Sequence, residues 1–410
     1  MIKSSALKIL RSAPGVTQEI GDAPRNATDA LSLADLRVVH VVGALAAGGA
    51  ERFVVDLARE QKQAGYDVRL LVLSSKIDEA GERMAAALRE SGVPFRCGPT
   101  VRVRAGSVAW YISSLLRWTP DLVHLHTPNT EMAHVLGRVV YRRGHVILRT
   151  LHSAAGPPHA FGRYAIRANP AAISVACSRA ALDRAQEYVK GELLAIENGV
   201  RFDWPIRTPD RSEQFKKTLG LRPECMHFVA VGRLDGAHLH TSPKAHDVLL
   251  RAWRLGRLGQ KGGRLHLIGN GPLRPALEAA AKDDPSVVFH GVRADVSDWL
   301  IACDAFVMPS RWEGLPIAGI EAVGTGLPCL FSDIPPLREL GPPLALWNAV
   351  DDCSGLAQNL ASLMEDYRVP ASAVIEAFRK RFGLRRCYER YCEVYERALE
   401  VNGRFNLERE

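Results

Sequence analysis

The feature that most constrains the fold is an alternation of short apolar runs with amphipathic, helix-like segments, which begins near Leu36. The first run, Arg37–Val42, leads into a glycine-containing turn, and the segment after this turn places Phe53 and Leu57 on one face of a helix. Similar pairs of segments follow one another along the chain. This order predicts βαβ units in which helices cover a parallel sheet, and therefore an α/β protein.

The alternation stops once, at the polar segment Phe202–Lys217, and then begins again. We therefore predict two Rossmann-like domains that face each other across a cleft, with a C-terminal helix that packs back toward the N-terminal domain. Ligands of such sheets bind at the carboxyl ends of the strands, so the cleft is the expected site. The predicted boundaries are 1–35 for an N-terminal extension, 36–204 for the first domain, 205–217 for a linker, 218–383 for the second domain, and 384–410 for the crossover helix and tail.

Charge and cysteine content indicate the partners and the redox environment of the protein, but they do not identify its activity. The formal net charge of +8 favours an anionic partner, and nucleic acid, anionic lipid and phosphorylated small molecules all fit. The eight cysteines form no C-x-x-C pair, so we expect free thiols in a reducing cytoplasm. No apolar run in the sequence reaches the ~18 residues of a membrane span. The extension 1–35 is expected to be a disordered tail, with a short amphipathic anchor as the alternative.

The stretch Pro309–Pro328 (PSRWEGLPIAGIEAVGTGLP) carries the strongest signal for a site. It follows the apolar run Ala305–Met308 and predicts a loop that leads into a helix. Glu313 then lies on the loop, Glu321 lies about two helical turns further on, and Gly314 lets backbone N–H groups approach a ligand. The pattern predicts a phosphate-binding site with a carboxylate at each end. An ordinary strand–helix turn with two solvated glutamates is the alternative.

Two cations precede this stretch in the second domain. Arg233 follows the predicted strand His227–Val231 and Lys244 comes before the next helix, so both are expected at the cleft. Arginine offers a bidentate fork and lysine a point charge, a combination that suits a diphosphate. Four glycines mark further strand-to-helix turns: Gly48, Gly49, Gly269 and Gly271. Each of these turns alone is weak evidence for a ligand site.

Two histidines alternate at the end of the predicted strand Asp121–Leu125. His124 and His126 share one face of the strand, and His126 opens into the following loop. We expect His124 to be a core histidine with satisfied hydrogen bonds. For His126 a functional and a structural role are equally well supported, because loops at strand ends carry ligand contacts.

Motifs that are absent from the sequence exclude several classes of protein. There is no G-x-x-x-x-G-K-[ST] phosphate loop and no G-x-G-x-x-G after the first strand, which argues against a P-loop NTPase and a dehydrogenase. There is no Asp-x-Asp pair to hold a divalent metal on a diphosphate, so no metal is expected. The group His238, His240 and His246 lacks cysteine or carboxylate ligands at suitable spacing and is expected to be a solvated loop. No recognition motif supports nucleic-acid binding.

Taken together, these segments resemble the family 4 glycosyltransferases of GT-B fold, from about Arg37 to Leu399. The longest motif is highly specific, GGAER and VGRL are moderately so, and the others support the match by their order. The motifs are GGAER (Gly48–Arg52), HLHTPN (His124–Asn129), ENGV (Glu197–Val200), VGRL (Val231–Leu234), GNGPL (Gly269–Leu273) and the Pro309–Pro328 stretch. The resemblance implies a retaining, nucleotide-sugar-dependent glycosyl transfer in the cleft, without a metal or other cofactor.

The resemblance also implies roles for residues at the motif positions. Arg233 and Lys244 would bind the donor diphosphate, and Glu313 would hold hydroxyls of the donor sugar. His126 would lie beside the reacting sugar and complete the catalytic set, while Glu321 would hold the nucleotide ribose. The other implied donor-binding residues are Gly48, Gly49, Gly269, Gly271, Gly314, Leu315 and Pro316.

The sequence departs from the family pattern at Lys244. Family members usually carry this lysine soon after the arginine, in a Lys-Gly pair. Here the segment GAHLHTS lengthens the gap, and the pair is Lys244-Ala245. The role of Lys244 is therefore implied by fewer matching residues than that of Arg233.

The resemblance points to a nucleotide-sugar donor, with UDP-sugar favoured and GDP-sugar as the alternative. The implied acceptor is a glycan or lipid-linked sugar of polysaccharide or glycolipid biosynthesis. Two other functions stay open: a non-catalytic nucleotide-sugar binding protein, and a GT-B nucleotide-sugar epimerase.

Basic and aromatic residues of the first domain would suit an anionic membrane surface. They are Arg102, Arg104, Trp110, Arg117, Trp118, Arg138, Arg142, Arg143 and Arg149. We therefore expect a cytoplasmic protein that associates peripherally with the inner membrane face and does not bind nucleic acid. A solvated face with core tryptophans is the alternative.

Overall fold

The computed structural model describes residues 36–99, 105–138, 144–155, 160–366 and 368–401. The predicted extension 1–35 lies outside these residues, as do Arg102, Arg104, Arg142 and Arg143 of the basic surface. The described residues form two parallel sheets, each covered by helices, and this confirms the predicted pair of Rossmann-like domains.

The N-terminal domain is built on a seven-stranded parallel sheet in the order β3-β2-β1-β4-β5-β6-β7. Its strands are β1 (Arg37–Val42), β2 (Asp67–Val72), β3 (Phe95–Cys97), β4 (Leu122–Leu125), β5 (Val146–Leu151), β6 (Ile173–Ala176) and β7 (Glu192–Ala195). Its helices are α1 (Gly49–Gln63), α2 (Glu79–Glu90), α3 (Ala105–Trp118), α4 (Pro128–Arg138), α5 (Ala160–Ala168) and α6 (Arg179–Ala185).

The C-terminal domain contains a six-stranded parallel sheet in the order β10-β9-β8-β11-β12-β13. Its strands are β8 (Met226–Val231), β9 (Gly263–Ile268), β10 (Val287–Gly291), β11 (Ala305–Met308), β12 (Cys329–Ser332) and β13 (Leu346–Asn348). The helices that follow the first domain are α7 (Pro209–Thr218), α8 (His246–Leu255), α9 (Arg274–Ala281), α10 (Val296–Ala302), α11 (Ile317–Thr325), α12 (Pro335–Glu339), α13 (Cys353–Glu365), α14 (Ser372–Arg381) and α15 (Leu384–Val401). The sequence did not predict β13, because three residues carry too little pattern.

The sheet topology determines where a ligand can bind. In the N-terminal sheet the strand order reverses between β1 and β4, and in the C-terminal sheet it reverses between β8 and β11. The loops after two neighbouring strands diverge at such a point and leave a crevice at the carboxyl ends. All residues of β4 and β11 are buried, since helices cover both faces of each sheet. Only the strand ends are therefore open to a ligand.

The segment 205–217, predicted to be a linker, is partly helical. The Thr208 side chain accepts a hydrogen bond from the Arg211 N–H, and Pro209 occupies the first turn of α7. Asp304 fixes this segment to the C-terminal domain through Arg207 at 3.2 Å and Lys216 at 2.7 Å. The mixed charges that suggested a linker instead form ion pairs, so only the stretch before α7 connects the two sheets without regular structure.

The C-terminal helix α15 packs back on the N-terminal domain, as predicted. Tyr391 and Tyr395 are fully buried there, and the tyrosine hydroxyls contact side chains on β4, β5 and α1. A backbone bridge between Val200 and Gly383 joins the segment after β7 to the residue before α15. Across the described ranges, no helix combines the length and apolarity that a bilayer span needs.

Candidate functional site

A cavity of about 510 Å³ lies between the two domains, at the carboxyl ends of both sheets. Most predicted site residues line it: Gly48, Gly49, Arg233, Lys244, Gly269, Glu313, Gly314, Leu315, Pro316 and Glu321. His126 and Gly271 are not among its lining residues. The structure thus brings together residues that are more than 270 positions apart in the chain.

Glu313 is the most constrained carboxylate in the cleft. It follows β11 and is 9% exposed. Lys244 Nζ and Ser310 Oγ each lie 2.6 Å from Oε1 of Glu313 and donate to it. Among the described residues, Oε2 accepts no hydrogen bond, so this oxygen is free to accept from a ligand. A carboxylate fixed at one oxygen and open at the other is suited to hold hydroxyl groups.

Lys244 reaches the cleft although the segment before it is longer than the family pattern. A short 3-10 turn, Leu239–Thr241, folds the extra residues, and Ala245 then adopts a left-handed conformation with φ of 51°. This conformation explains why glycine is usual at this position, since an L-residue with a Cβ is strained there. The exposed His238 and His240 stack on each other in this segment, in agreement with a solvated loop. His246 is instead buried at the start of α8, so the expectation of a solvated loop was wrong for this residue.

Arg233 follows β8 and lies on the C-terminal side of the cleft. Its Nε is 2.6 Å from Asp235 Oδ2, and its side chain is 48% exposed. A Cβ added to Gly48 of the other domain would lie 3.6 Å from Arg233 Nη1, so the guanidinium spans the cleft. Burial raises the pKa of the neighbouring Glu51, and the charge of Arg233 partly offsets this effect. Arg233 is therefore a partly exposed, ion-paired cation next to the glycine turn before α1.

Gly314 brings the two domains into direct contact. A Cβ at this position would lie 2.1 Å from the backbone oxygen of His152, which real Cβ atoms do not tolerate. The Ala154 N–H donates to Glu313 O at 3.3 Å, and the Asn198 side chain donates to Leu315 O at 2.9 Å. The loop that carries Glu313 is thus held against the N-terminal domain. No side chain caps the N-terminus of α11, whose N–H groups are open to an anion.

Glu321 on α11 contacts the other domain. Its Oε1 lies 3.1 Å from Arg52 Nη1 on α1, and the carboxylate is 5% exposed. Burial raises the pKa of Glu321, and Arg52 lowers it. The predicted ribose anchor is therefore engaged with an arginine of the opposite domain.

The glycines fall into two groups. A Cβ on Gly49 would lie 3.4 Å from Ile317 at the start of α11, an ordinary van der Waals distance, so Gly49 lies against the other domain without a steric need for glycine. Gly269 has φ of 142°, and a Cβ there would lie 1.9 Å from the carbonyl oxygen of Gly232. A Cβ on Gly271 would lie 2.4 Å from Leu234 O. The latter two glycines let neighbouring loops pack together, which is a structural reason for the GNGPL motif.

The structure places His152, and not His126, on the wall of the cleft. His126 is 3% exposed and lies behind His152, with its Nδ1 3.2 Å from His152 Nε2. It lines a smaller cavity of about 60 Å³, which His152 also borders. His152, at the end of β5, therefore lines the cleft where the family resemblance implied His126. His124 is fully buried with both ring nitrogens hydrogen-bonded, as expected.

Four residues that line or support the site were not singled out from the sequence: Arg52, His152, Asn198 and Ser310. Arg52, Asn198 and Ser310 lie inside recognised motifs. The sequence therefore predicted that they lie near the cleft, but it did not indicate what they contact. His152 follows the strand Val146–Leu151 directly, and a polar residue at the end of a strand is the signal that could have identified it.

Two family models match the chain, one for each domain. The model described as Glycosyltransferase Family 4 covers residues 47–204, and the model described as Glycosyl transferases group 1 covers residues 226–366.

Two curated relatives match part of the chain. The lipopolysaccharide core biosynthesis mannosyltransferase LpsB of Rhizobium meliloti is 30% identical over 174 residues, 40% of this chain and 48% of that protein. The UDP-Gal:alpha-D-GlcNAc-diphosphoundecaprenol alpha-1,3-galactosyltransferase of Escherichia coli is 30% identical over 149 residues, 35% of this chain and 37% of that protein. The chain thus spans less than half the length of either relative.

A solved structure matches nearly all of the chain. HepE of Anabaena, in complex with UDP-glucose, has a TM-score of 0.74 and 18% identity, and the match covers 88% of this chain and 99% of that one. At this identity the likeness concerns the fold, and it agrees with the two facing Rossmann-like domains predicted from the sequence.

Proposed function

Because this chain belongs with the family 4 glycosyltransferases of GT-B fold, we propose that it transfers a sugar from a nucleotide-sugar donor to a glycan or lipid-linked acceptor. The observation that carries the proposal is the hydrogen-bonded group of Lys244, Ser310 and Glu313 at the N-terminus of α11, in the same cavity as Arg233. This arrangement places a carboxylate for sugar hydroxyls beside cations and N–H groups for phosphates.

The charges in the cleft fit the chemistry of a departing diphosphate. As the bond between sugar and diphosphate breaks, negative charge develops on the phosphate oxygens. Arg233, Lys244 and the N–H groups at the start of α11 stabilise that charge, a role that a metal ion has in other enzymes. Interactions that strengthen as this charge develops stabilise the transition state more than the bound donor, and they therefore lower the activation barrier. We therefore propose transfer without a metal.

Glu313 orients the donor sugar in this mechanism. Lys244 and Ser310 hold one of its oxygens, so the other accepts from sugar hydroxyls. The departing phosphate accepts the proton of the acceptor hydroxyl, and the new glycosidic bond forms on the face from which the diphosphate leaves. This proposed same-face attack would retain the configuration of the donor sugar, and the anomeric configuration of the product measures it.

UDP-sugar is the favoured donor, and GDP-sugar is the alternative. A relative is named for UDP-galactose, and the structurally similar HepE was solved with UDP-glucose. LpsB is named as a mannosyltransferase, so mannose is a second candidate for the transferred sugar.

We also propose that the N-terminal domain meets an anionic membrane surface where lipid-linked acceptors lie. Exposed apolar side chains on α3, α4 and α5 support this, namely Leu116, Leu136 and Tyr164, each at least half exposed. Arg117 and Arg138 lie within two positions of Leu116 and Leu136 in the chain. Trp118 and Arg149, in contrast, are buried, and Arg149 pairs with Glu131, so these two residues are not part of the surface. Apolar side chains flanked by arginines suit a lipid headgroup region. Sedimentation with vesicles of phosphatidylglycerol, but not of phosphatidylcholine, is the expected result; equal or no sedimentation contradicts it.

A donor screen tests the proposed function. The full chain is incubated with UDP-glucose, UDP-galactose, UDP-N-acetylglucosamine or GDP-mannose, with and without a lipid-linked sugar acceptor, and released nucleotide is measured. Release that rises with acceptor and is lost in Glu313→Ala supports transfer, and Glu278→Ala, at an exposed glutamate on α9, is the matched control. Binding of a donor without release indicates the non-catalytic binding protein. Release of free epimerised sugar without acceptor indicates the epimerase.

A further inference from the structure

A row of buried, hydrogen-bonded side chains runs from the cleft into the N-terminal domain. His152 Nε2 lies 3.2 Å from His126 Nδ1, and His126 Nε2 lies 2.9 Å from His40 Nδ1. His40 Nε2 then lies 2.7 Å from Gln61 Oε1. His40 and Gln61 have no solvent exposure. These four residues, here called the histidine row, connect β5, β4, β1 and α1.

Gln61 gives the histidine row a direction, because an amide oxygen only accepts and an amide NH₂ only donates. Its oxygen lies toward His40, so the proton of His40 is on Nε2. A neutral imidazole carries a single N–H, and His40 Nδ1 therefore accepts from the Nε2–H of His126. The same rule makes His126 Nδ1 accept from the Nε2–H of His152. The direction set at Gln61 thus determines the tautomer at the cleft.

Helix α15 supports the orientation of the Gln61 amide. Gln61 Nε2 donates to the hydroxyl of Tyr395 at 3.1 Å. That hydroxyl lies 2.8 Å from His124 Nδ1, and His124 Nε2 lies 2.8 Å from Thr150 Oγ1. Each polar atom of this buried group therefore has a partner, which fixes the amide in place.

The rings of the histidine row are neutral. Burial lowers the pKa of His40 and of His152 to about 4, and it lowers the pKa of His126 well below its usual range. Each ring therefore has one N–H at neutral pH, as the directional argument requires.

The remaining nitrogen of the row is Nδ1 of His152. It is buried and has no hydrogen-bond partner among the described residues. In the tautomer set by Gln61 this nitrogen carries a lone pair. A buried acceptor without a partner costs free energy, about 1–3 kcal/mol, which a donor group of a ligand would recover. His152 lines the cleft cavity, so a ligand there is close to it.

We propose that Gln61 is a positioning residue that acts through His40 and His126 to hold His152 in the Nε2–H tautomer. The unprotonated Nδ1 of His152 then accepts a hydrogen bond from a hydroxyl of the sugar in the cleft. This inference rests on the proposed function, since it assigns the hydroxyl to the sugar substrate.

The histidine row positions a lone pair and does not carry a proton away from the cleft. A proton taken up at His152 Nδ1 could pass along the row only as far as His40, because an amide oxygen is not basic enough to accept it. Among the described residues no carboxylate is hydrogen-bonded to His152, His126 or His40 to stabilise an imidazolium. This agrees with a mechanism in which the departing phosphate takes the proton of the acceptor.

A metal site is the competing interpretation of part of this group. His40, His124 and His126 have ring nitrogens within 4.8 Å of one another. All six of these nitrogens, however, have hydrogen-bond partners at 2.7–3.2 Å. A metal ion would have to break several of these bonds, so the hydrogen-bonded row accounts for the cluster better.

Nitrogen NMR of the histidine rings tests the tautomer directly. The full chain is labelled with ¹⁵N in its imidazole rings, and long-range ¹⁵N–¹H correlations distinguish Nδ1–H from Nε2–H rings; the loss of signals in His152→Asn assigns His152. We expect Nε2–H at His152 in the native protein and a mixture of tautomers in Gln61→Met. An Nδ1–H ring in the native protein overturns the proposal, as does an unchanged His152 signal in Gln61→Met or one equivalent of bound zinc.

A second histidine row supplies the matched control. His227, His266 and His290 are linked at 2.9 Å across β8, β9 and β10, with no connection to His152. The variant His266→Leu breaks this row and is expected to leave the His152 signals unchanged. If Gln61→Met does not fold, His40→Phe interrupts the row one step later, and the native spectrum still decides the tautomer.

Ligand and turnover measurements test the hydroxyl contact. Adding UDP-glucose is expected to shift the Nδ1 signal of His152, whereas UDP alone, which lacks the transferred sugar, is not. Turnover by Gln61→Met should fall about tenfold in kcat/KM, because the lost hydrogen bond, about 1.4 kcal/mol, forms when the donor binds and persists in the transition state. A shift with UDP alone, or an unchanged kcat/KM, overturns the contact. Absence of turnover in the native protein overturns the proposed function, while the NMR result still decides the tautomer.

Discussion

Arg52 in the N-terminal domain and Glu321 in the C-terminal domain form an ion pair across the cleft, with Nη1 and Oε1 3.1 Å apart. Arg52 belongs to the GGAER motif and Glu321 to the long motif on α11. Two motifs that are 269 positions apart in the chain thus meet in one interaction. The pair joins the domains at the position proposed for the nucleotide ribose.

The variant Arg52→Met is expected to raise the pKa of Glu321, because Arg52 is the group that lowers it against the effect of burial. If ionised Glu321 accepts from the ribose hydroxyls, the acidic limb of the KM–pH profile for UDP-glucose should move to higher pH. Steady-state kinetics between pH 5 and 8 measure this shift. Arg385→Met, which removes an exposed arginine on α15, is the control and should leave the profile in place. A profile that is identical in Arg52→Met contradicts the role of Glu321.

The variant Glu313→Gln keeps the size of the side chain and removes its charge. Lys244 then loses its partner, and sugar hydroxyls lose a charged acceptor. We expect kcat to fall by about 10²–10³, the range for the loss of one preorganised electrostatic group. Nucleotide release from UDP-glucose measures the effect, and a circular dichroism melt shows that the fold is retained. Activity within threefold of the native enzyme would exclude an essential carboxylate here.

The variant Gly314→Ala tests the contact between the domains. Its Cβ would lie 2.1 Å from His152 O, so the loop that carries Glu313 must move away from the N-terminal domain. We expect a loss of most activity while each domain stays folded. Gly106→Ala is the matched control, because a Cβ there meets no atom within 4 Å. Equal activity of the two variants would show that this contact does not matter for turnover.

Metal removal should leave turnover unchanged. The proposed mechanism assigns stabilisation of the diphosphate to Arg233, Lys244 and the N-terminus of α11. Dialysis against EDTA followed by a donor assay with and without added Mg²⁺ or Mn²⁺ measures the requirement. A loss of activity that either metal restores would contradict this part of the proposal.

Stability is expected to fall as the pH drops from about 6.5 toward 4. Burial lowers the pKa of His40, His152 and His246 to about 4 and that of His266 to about 3, so the unfolded chain binds protons that the folded chain does not. The stabilisation is present above the unfolded-state pKa of 6.5 and is lost below it.

Urea unfolding at pH 7.5 and 5.0 measures this dependence as a lower midpoint at pH 5.0. Carboxyl groups whose pKa is raised by burial act in the opposite direction, but these six are fewer than the nine described histidines whose pKa is lowered. The six are Glu51, Asp56, Glu131, Asp298, Glu321 and Glu339. His266→Leu should reduce the difference between the two midpoints. A midpoint that rises at pH 5.0 contradicts the prediction.

Much of the fold was available from the sequence, because buried parallel strands leave a pattern that does not depend on their neighbours. β1 and β11 begin and end at the residues that the apolar runs Arg37–Val42 and Ala305–Met308 predicted. The short strand β13 and the helix α7 were missed. In α7 the polar residues form ion pairs with Asp304, 88 positions after Lys216, and no local pattern carries that information.

Several of the cleft residues that carry charge could be identified from their positions in the sequence. Glycines, cations and glutamates at the ends of strands have to meet at the carboxyl edge of parallel sheets, and Arg233, Lys244 and Glu313 do so. Alternation along β4 also placed His124 and His126 on one face. The sequence did not show which of these side chains lies nearest to the cleft. Periodicity distinguishes the two faces of one strand, but it does not show how side chains of neighbouring strands are arranged relative to each other.

Which histidine borders the cleft, and how it is held, depends on the packing of elements that are distant in the chain. His152 stands in front of His126 because β5 lies beside β4, and Gln61 contacts the row because α1 packs over β1. Arg52 and Glu321 pair because the two domains close on each other. These contacts join residues that are distant in the chain, and their geometry depends on the packing of whole elements.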